Sequence, residues 1–231
     1  MNRVSVVIVS AGNGTRMQSE TKKQFLPLNG MPVLAWTIQV FEAMPEIHEI
    51  ILIVHETDIR YCQENIVAAN RFRKISKVFS GGADRQSSVI HGVMAVDETT
   101  DIVVIHDGVR PFIDDVTIRT GIQVAAVFGA SCIAVPVTET IKVVKDGIVT
   151  GTVDRSTLWA AQTPQIFKKE ILFSAIEAAE KDGFKGTDDA SLAERIGAEV
   201  AIVPGSYDNI KITTAKDIEI AKGILQRRQT H

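Results

Sequence analysis

Apolar, β-branched runs alternate with segments of helical periodicity along most of the chain. Five runs predict buried strands: Val4 to Ser10, Ile50 to Val54, Ile75 to Phe79, Ile102 to Ile105 and Ile133 to Val137. Between them the apolar residues recur at helical spacing, as in Val89, Val93 and Val96. Strands that are apolar on both faces and separated by helices indicate a parallel sheet covered on both sides. The pattern therefore predicts an α/β protein with a doubly wound, mostly parallel sheet.

The alternation changes after the fifth predicted strand. Glu139 to Lys145 and Ile148 to Val153 flank the dipeptide Asp146-Gly147, which is a strong signal for a β-hairpin. A hairpin this small is not stable alone, so we expect residues 138–158 to form a protruding arm that packs on another surface. The remaining predicted elements are helices over Lys168 to Lys181 and Asp188 to Ile196, a strand over Val200 to Val203, a strand-like run over Ile210 to Thr213, and a helix from Thr214.

Composition and charge narrow the class of protein. The chain has 231 residues, of which 45% are hydrophobic and 23% are charged, and we expect a single domain over residues 1–231 that includes the arm. The net charge of -3 and the lack of a long basic run argue against nucleic acid as a partner. No window approaches the ~20 apolar residues of a membrane span, so we expect no membrane partner. Cys62 and Cys132 are too few for a disulfide framework, which favours a cytoplasmic location.

A glycine-rich turn with two cations follows the first predicted strand. The turn reads Ala11-Gly12-Asn13-Gly14-Thr15-Arg16, and Lys23 comes seven residues later. Glycines let backbone N–H groups approach a ligand closely, and successive N–H groups form an anion nest. Arg and Lys side chains both suit phosphate oxygens. These residues predict a polyphosphate cradle, although a plain glycine turn with solvated cations is the commoner meaning of one such loop. The Walker A pattern is absent, and Met17 stands where the dinucleotide fingerprint needs a third glycine.

Two further loops carry polar residues to the same predicted edge of the sheet, because ligands bind outside the carboxyl ends of such strands. The sequence SGGADRQSS follows the third strand and HDGVRP follows the fourth. Asp107 stands where a Mg²⁺ ligand would lie, with a turn or N-cap role as the alternative. Arg110 is either an anion ligand or part of a surface ion pair. Ser87 or Ser88 could simply cap a helix, and Lys211 could be a solvated lysine in an edge strand. We expect His106 to be structural.

These motifs together resemble those of the 2-C-methyl-D-erythritol 4-phosphate cytidylyltransferases. The similarity extends over nearly all of the chain and comprises, in order, AGNGTRM, KKQF, GGADRQSSV, HDGVRPF, ETIK, TVDRSTLWAAQTPQIF, TDDASLAE and NIKITT. The resemblance implies a nucleotidyltransferase-type, Rossmann-like subunit that transfers a cytidylyl group from CTP to a small polyol phosphate and releases pyrophosphate, in the non-mevalonate route to isoprenoid precursors. It also implies a homodimer in which each hairpin arm reaches the site of the neighbouring subunit.

The resemblance implies a role for each matched residue. The nucleotide-binding residues would be Ala11, Gly12, Gly14, Gly82 and Ser88. Arg16 and Lys23 would stabilise the transition state at the α-phosphorus. Asp107 would contact both Mg²⁺ and the substrate. The other residues that bind or position the substrate would be Arg110, Thr140, Arg155, Thr163 and Lys211, with Thr140 and Arg155 acting on the partner subunit's substrate.

The sequence departs from the family pattern near the predicted nucleotide and metal contacts, at Ser10, Ala83, Gly108 and Val109. Ribitol-5-phosphate cytidylyltransferases share the cradle, the HDxxRP loop and TPQ, and they are the alternative. TVDRSTLWAAQTPQ and TDDASLAE favour the methylerythritol enzymes. A nucleotide-sensing module without activity is a second alternative, but Arg16, Lys23 and Asp107 are all present.

Overall fold

The structure is a computed structural model that describes residues 2–12 and 21–229. Gly14 and Arg16, for which the sequence predicts roles in nucleotide binding and catalysis, lie outside these described residues.

A seven-stranded sheet forms the centre of the described part of the molecule. Its strands are β1 (Val4–Ser10), β4 (Ile47–Val54), β5 (Ile75–Ser80), β6 (Ile102–Asp107), β7 (Ala130–Pro136), β10 (Trp159–Lys168) and β11 (Val200–Pro204). They lie in the order β11-β7-β10-β6-β1-β4-β5. Strand β10 runs antiparallel to both of its neighbours, and the other neighbouring strands pair in parallel. Two small two-stranded sheets pair β2 (Pro27–Leu28) with β3 (Met31–Pro32) and β8 (Lys142–Lys145) with β9 (Ile148–Thr152).

Helices cover both faces of the sheet, which confirms the doubly wound α/β fold. The helices are α1 (Val33–Glu42), α2 (Ile59–Tyr61, continued by a π-helix over Cys62–Ala68), α3 (Arg85–Val93), α4 (Asp115–Phe128), α5 (Lys169–Asp182), α6 (Asp189–Arg195) and α7 (Ala215–Gln229). Alternate residues of the central strands belong to different apolar layers: Val6 and Ile8 share one layer with residues of α1 and α4, and Val7 shares the other with residues of α3 and α5. This two-sided burial explains why the strands are apolar throughout.

The predicted run Ile210 to Thr213 is not a strand, and this expectation was wrong. Residues 210–213 have an irregular backbone, and the N–H of Ile212 donates to the carbonyl of Val109 at 2.9 Å. The buried Ile212 side chain packs with Val109 and with α7. The segment therefore runs beside the loop after β6 and places Lys211 there, so Lys211 is not an edge-strand lysine.

The pattern did not predict β10, which occupies the position between β6 and β7. Its middle reads Gln162-Thr163-Pro164-Gln165, and a proline between two glutamines is atypical of a central strand. Pairing with β7 is interrupted between Ala161 and Gln165, and this irregularity accommodates the proline. The helix that starts near Lys168 therefore follows β10 and not the hairpin directly.

The predicted hairpin is present and protrudes from the sheet. Asp146 and Gly147 form its turn with φ angles of 50° and 77°, as their sequence indicates. The N–H of Val137 donates to the carbonyl of Leu158 at 3.0 Å, and this bond closes the base of the arm. Ile148 and Val149 are 68% and 56% exposed, so the arm carries apolar side chains that this chain does not cover.

Among the described residues, none of the helices combines the length and the apolar character needed to cross a lipid bilayer.

Candidate active site

A cleft of about 450 Å³ opens at the carboxyl ends of β1, β5 and β6. The three loops predicted to converge do so, because Gly12, Gly82 and Asp107 all line it. Lys23 and Lys211 line the same cleft from outside the sheet. Seven of the predicted site residues line this one cleft, although they lie far apart in the sequence: Ala11, Gly12, Lys23, Gly82, Ser88, Asp107 and Lys211.

The start of the loop after β1 is hydrogen-bonded by a side chain that sequence reasoning did not identify, that of Gln24. Gln24 is 1% exposed and follows Lys23 in a short 3-10 turn, Lys23–Phe25. Its Nε2 donates to the carbonyl of Ser10 at 3.1 Å and to that of Gly12 at 3.5 Å. The glycine loop and the turn that carries Lys23 are therefore joined directly.

The loop after β5 has room only for glycine at two successive positions. A Cβ atom on Gly81 would lie 2.4 Å from the Cβ of Ala11, and one on Gly82 would lie 2.5 Å from the Oγ of Ser87. Ser87 forms a capping box with Asp84 at the start of α3, as one of the sequence alternatives proposed. Ser88 differs, because its Oγ accepts from the N–H of Gly82 at 3.0 Å and donates to the carbonyl of Asp84 at 2.8 Å. Gly82 and Ser88 thus shape one wall of the cleft together.

Asp107 ends β6 at the centre of a cluster of charges. Its carboxylate pairs with Lys211 at 2.8 Å, with Arg85 at 3.3 Å and with Arg110 at 3.6 Å. Burial of Asp107 would raise the pKa of its carboxyl, but the charges of Arg85, Lys211 and Arg110 outweigh that effect and hold the pKa well below its usual range. Asp107 is therefore ionised at neutral pH.

Arg85 links this cluster to the start of α6. Its two terminal nitrogens donate to the two carboxylate oxygens of Asp189 at 2.9 and 2.8 Å. Burial alone would lower the pKa of Arg85, but the charges of Asp189 and Asp107 raise it. Asp189 is buried whereas the Arg85 side chain is 32% exposed, so a bidentate pair to a buried carboxylate anchors Arg85 and fixes its approach to Asp107.

The predicted substrate residue Thr163 lies behind Asp107, in β10. Its Oγ1 accepts from the N–H of Asp107 at 3.0 Å, and its own carbonyl accepts from Asn209 Nδ2 at 2.9 Å. Arg110 donates to the carbonyl of Asn209 at 2.7 Å. Asn209 therefore fastens the segment that carries Lys211 to the strand beside Asp107.

His106 has a structural environment, as we expected. The ring is buried and packs edge-on against Phe41 at 5.1 Å between ring centroids. Its Nε2 lies 3.0 Å from the carbonyl of Arg110, and burial lowers the pKa of His106 to about 4. A ring held neutral in this way supports the Asp107–Arg110 turn without adding charge to the cleft.

Thr140 and Arg155 are not brought to this cleft. Both are exposed on the arm, and Arg155 donates to the carbonyl of Thr138. Neither residue belongs to the described residues that line the cleft of their own chain. Their action on the substrate of a partner subunit stays a prediction.

The residues of the cleft suit a metal ion that arrives with a phosphate ligand better than a resident one. Within residues 2–12 and 21–229, no group of three or more His, Cys, Asp or Glu side chains is placed to hold a metal ion. Among the described residues that line the cleft, the acidic residue besides Asp107 is Asp84, which caps α3 and pairs with Lys185 at 3.1 Å. Mg²⁺ commonly takes one or two carboxylates together with substrate phosphates, and the ionised Asp107 fits that pattern.

Sequence reasoning missed three residues that stand inside motifs already noted: Arg85, Asp189 and Gln24. Arg85 contacts the predicted site residue Asp107, Gln24 contacts Gly12, and Asp189 contacts Arg85. Arg85 and Asp189 are 104 residues apart, so their pairing leaves no local pattern. A buried glutamine beside a lysine likewise has no periodic signature. Their positions within GGADRQSSV, TDDASLAE and KKQF were the available signal.

The fold and the cleft together define a protein of the nucleotidyltransferase class. The family model "IspD: 2-C-methyl-D-erythritol 4-phosphate cytidylyltransferase" matches residues 4–227, and the chain belongs to this family. The chain is 46% identical to the 2-C-methyl-D-erythritol 4-phosphate cytidylyltransferase of Geotalea uraniireducens over 226 residues, which cover 97% of each chain. It is 45% identical to that of Clostridioides difficile, over 96% of this chain and 93% of the relative.

Solved structures agree with these sequence relatives. The crystal structure of the 4-diphosphocytidyl-2C-methyl-D-erythritol synthase from Anaerococcus prevotii superposes with a TM-score of 0.86 at 32% identity, over 97% of this chain and 96% of the other. The Francisella tularensis 2-C-methyl-D-erythritol 4-phosphate cytidylyltransferase gives a TM-score of 0.81 at 30% identity, over 96% of this chain and 100% of the other. These likenesses favour the methylerythritol enzymes over the ribitol-5-phosphate alternative.

Proposed function

We propose that this protein transfers the cytidylyl group of CTP to 2-C-methyl-D-erythritol 4-phosphate and releases pyrophosphate, in the synthesis of isoprenoid precursors. One observation carries the proposal beyond family membership: Lys23 and Lys211 line a single cleft together with the glycine loops after β1 and β5. Such a cleft suits two phosphorylated ligands, one against the glycine loops and one against the cluster at Asp107.

The chemistry requires charge neutralisation more than proton transfer. A phosphate oxygen of the acceptor attacks the α-phosphorus of CTP, and the bond to the bridging oxygen of the β-phosphate breaks. The substrate phosphate is already ionised, so no general base is needed. Lys23 meets negative charge as it moves onto pyrophosphate, and we expect Arg16 to do the same. Two unit charges 4 Å apart interact by about 4 kcal/mol at an effective dielectric constant near 20. Repulsion of this size between the two phosphorylated ligands explains why the cleft needs several cations.

The cluster around Asp107 supplies the acceptor side of the site. Three cations, Arg85, Arg110 and Lys211, surround Asp107, whereas Asp189 offsets only Arg85. The surplus of positive charge favours the acceptor phosphate. Lys211 is suited to move toward it, because its side chain is 37% exposed, whereas that of Arg110 is 13% exposed. Thr163 holds Asp107 in place through its backbone N–H.

We further propose that Mg²⁺ enters with CTP and that Asp107 is its protein ligand. Bound there, the ion would screen the triphosphate charge from the incoming phosphate. The low pKa of Asp107 supports this role, because only the ionised carboxylate binds a hard cation well.

The arm supports a homodimer with shared sites. Its apolar side chains are exposed in this chain, and Arg155 and Thr140 lie beside the hairpin and away from their own cleft. In the dimer they would reach the acceptor in the neighbouring subunit, where the guanidinium of Arg155 would pair with its phosphate. A cytoplasmic location stays a prediction, in keeping with two buried cysteines that are free thiols.

The test is an initial-rate assay of pyrophosphate release by the purified protein with CTP and Mg²⁺. We expect release with 2-C-methyl-D-erythritol 4-phosphate and none with ribitol 5-phosphate. A chelator should abolish the rate, and added Mg²⁺ should restore it. Release with ribitol 5-phosphate alone would overturn the substrate assignment, and full activity in the chelator would overturn the role of Mg²⁺.

A further inference from the structure

The end of β1 and the start of the glycine loop that follows it both accept hydrogen bonds from one buried amide group. Gln24 Nε2 donates to the carbonyls of Ser10 and Gly12, which flank Ala11, at 3.1 and 3.5 Å. The side chain is 1% exposed, so water does not compete for these bonds. Gln24 is therefore linked to the loop by direct hydrogen bonds, and not only by apolar packing.

The orientation of this amide follows from its partners. Carbonyl oxygens only accept hydrogen bonds, so the NH₂ group must face the two carbonyls and Oε1 must point away from them. Within the described part of the chain Oε1 is buried without a hydrogen-bond partner. Among the described residues, the hydrogen bonds of the Gln24 side chain are thus the two from Nε2 to the carbonyls of Ser10 and Gly12. The Oε1 atom is buried without a compensating hydrogen bond. Such a burial is costly unless the bonds to the loop matter.

Two residues near Lys23 in the sequence, Lys22 and Phe25, contact the segment that follows β4. Lys22 Nζ pairs with Asp58 Oδ2 at 2.7 Å. The ring of Phe25 lies 4.8 Å from that of Tyr61, between ring centroids. The main chain at Lys23 is therefore held between the β1 loop, through Gln24, and the β4 segment, through Lys22 and Phe25.

We propose that Gln24 is a positioning residue that acts through Lys23. Its amide fixes the spacing between the loop that cradles the phosphates and the turn that presents the Lys23 ammonium group. This inference rests on the proposed function, in which Lys23 stabilises charge at the α-phosphorus. A charge displaced by about 1 Å from its working position can lower a rate by about 10²-fold, so a small movement of the turn is enough.

The test is a double-mutant cycle on kcat with CTP and 2-C-methyl-D-erythritol 4-phosphate. Gln24→Met keeps the length of the side chain and removes both donors. We expect it to lower kcat by about 10- to 100-fold when Lys23 is present. In the Lys23→Ala background the same change should lower kcat by less than about 3-fold, because the group that Gln24 positions is already gone.

The matched control is Ser131→Ala. Ser131 is fully buried in β7, and its Oγ donates to the carbonyl of Gly121 at 2.8 Å, outside the residues that line the cleft. This change also removes a buried bond from a side chain to a carbonyl, and it should lower the melting temperature without changing kcat. If Gln24→Met does not fold, the cycle is repeated with Gln24→Asn, which keeps the donors on a shorter side chain.

The outcomes separate this inference from the proposed function. An equal loss of kcat in both backgrounds, or no loss in either, would show that Gln24 does not act through Lys23 and would overturn the inference. A wild-type kcat in Lys23→Ala alone would instead remove Lys23 from the transition state. Failure of the unmodified protein to use CTP and 2-C-methyl-D-erythritol 4-phosphate would overturn the proposed function itself.

Discussion

At the scale of single residues, Asp107 is the centre of the charged cluster, because its carboxylate pairs with Arg85, Arg110 and Lys211. Each of its oxygens has a cationic partner, and one of these, Arg85, is anchored on its far side by Asp189. Arg85, Lys211 and Arg110 together keep Asp107 ionised, and in the proposed function Lys211 exchanges Asp107 for a substrate phosphate.

Lys23→Ala should lower kcat by about 10²-fold or more, because it removes a preorganised charge at the reacting phosphorus. The KM for CTP should change less. Steady-state kinetics with varied CTP give both values, and Lys77→Ala, a change on β5 outside the residues that line the cleft, is the control. A near wild-type kcat with a raised KM would make Lys23 a binding residue only.

Asp107→Asn should lower activity and shift the Mg²⁺ titration to higher concentration, because a neutral amide is a poorer ligand for a hard cation. The variant also leaves Lys211 and Arg110 without their carboxylate partner. Circular dichroism should show the same fold as the unmodified protein. An unchanged rate and an unchanged titration curve would return Asp107 to a purely structural role.

At the scale of elements, the local pattern was sufficient where burial alone decides the structure. The apolar strands β1, β4 and β6 are buried on both faces, whereas β5 lies at the edge of the sheet and is only partly buried. Each of these four strands was predicted to within a few residues. Strand β10 was not, because Pro164 and two glutamines break the apolar pattern in its middle. The run Ile210 to Thr213 has a strand-like pattern, yet it is held by Val109 and α7 rather than by the sheet.

The candidate site shows the same limit. The glycine loops, Lys23, Asp107 and Lys211 are recognisable because each follows a strand or stands in a motif. The ion pair between Arg85 and Asp189 and the contact of Gln24 with the β1 loop arise only when distant segments pack together. Residue chemistry can be read locally, but the partner that positions a residue is set by the tertiary fold.

The arm yields a prediction at the scale of one element. If Arg155 acts on the neighbouring subunit, a heterodimer of Arg155→Ala and Lys23→Ala holds one site with both defects and one with neither. Mixing the two impaired variants under conditions of subunit exchange should raise activity well above that of either variant alone, toward half of the wild-type value per mixed dimer. If native mass spectrometry shows that the mixed dimer has formed and no activity returns, Arg155 does not act across a dimer.

At the scale of the whole molecule, the helices that cover the sheet also bury both cysteines. Cys62 and Cys132 are free thiols, and burial raises the pKa of each to about 12. In the unfolded chain they should titrate near their ordinary pKa of 9.0. Their contribution to stability is therefore complete below pH 9 and is lost as the pH rises toward the folded-state value.

Thiol labelling tests that burial. At pH 8 a thiol reagent should modify neither cysteine of the folded protein on the timescale of minutes, and both should react at once in denaturant, because the thiolate is the reactive form. Labelled peptides identified by mass spectrometry give the extent at each site. Rapid labelling of Cys62 or Cys132 in the native protein would show that the packing around the sheet opens far more readily than this fold implies.

The central claim is that the cleft transfers a cytidylyl group to 2-C-methyl-D-erythritol 4-phosphate, and a competition in one reaction tests it most directly. Equimolar 2-C-methyl-D-erythritol 4-phosphate and ribitol 5-phosphate are incubated with the protein, Mg²⁺ and limiting CTP, and the products are identified by mass. We predict that 4-diphosphocytidyl-2-C-methyl-D-erythritol accounts for the consumed CTP, with pyrophosphate in equal amount. A ribitol product, or CTP left intact by the folded protein, would contradict this account.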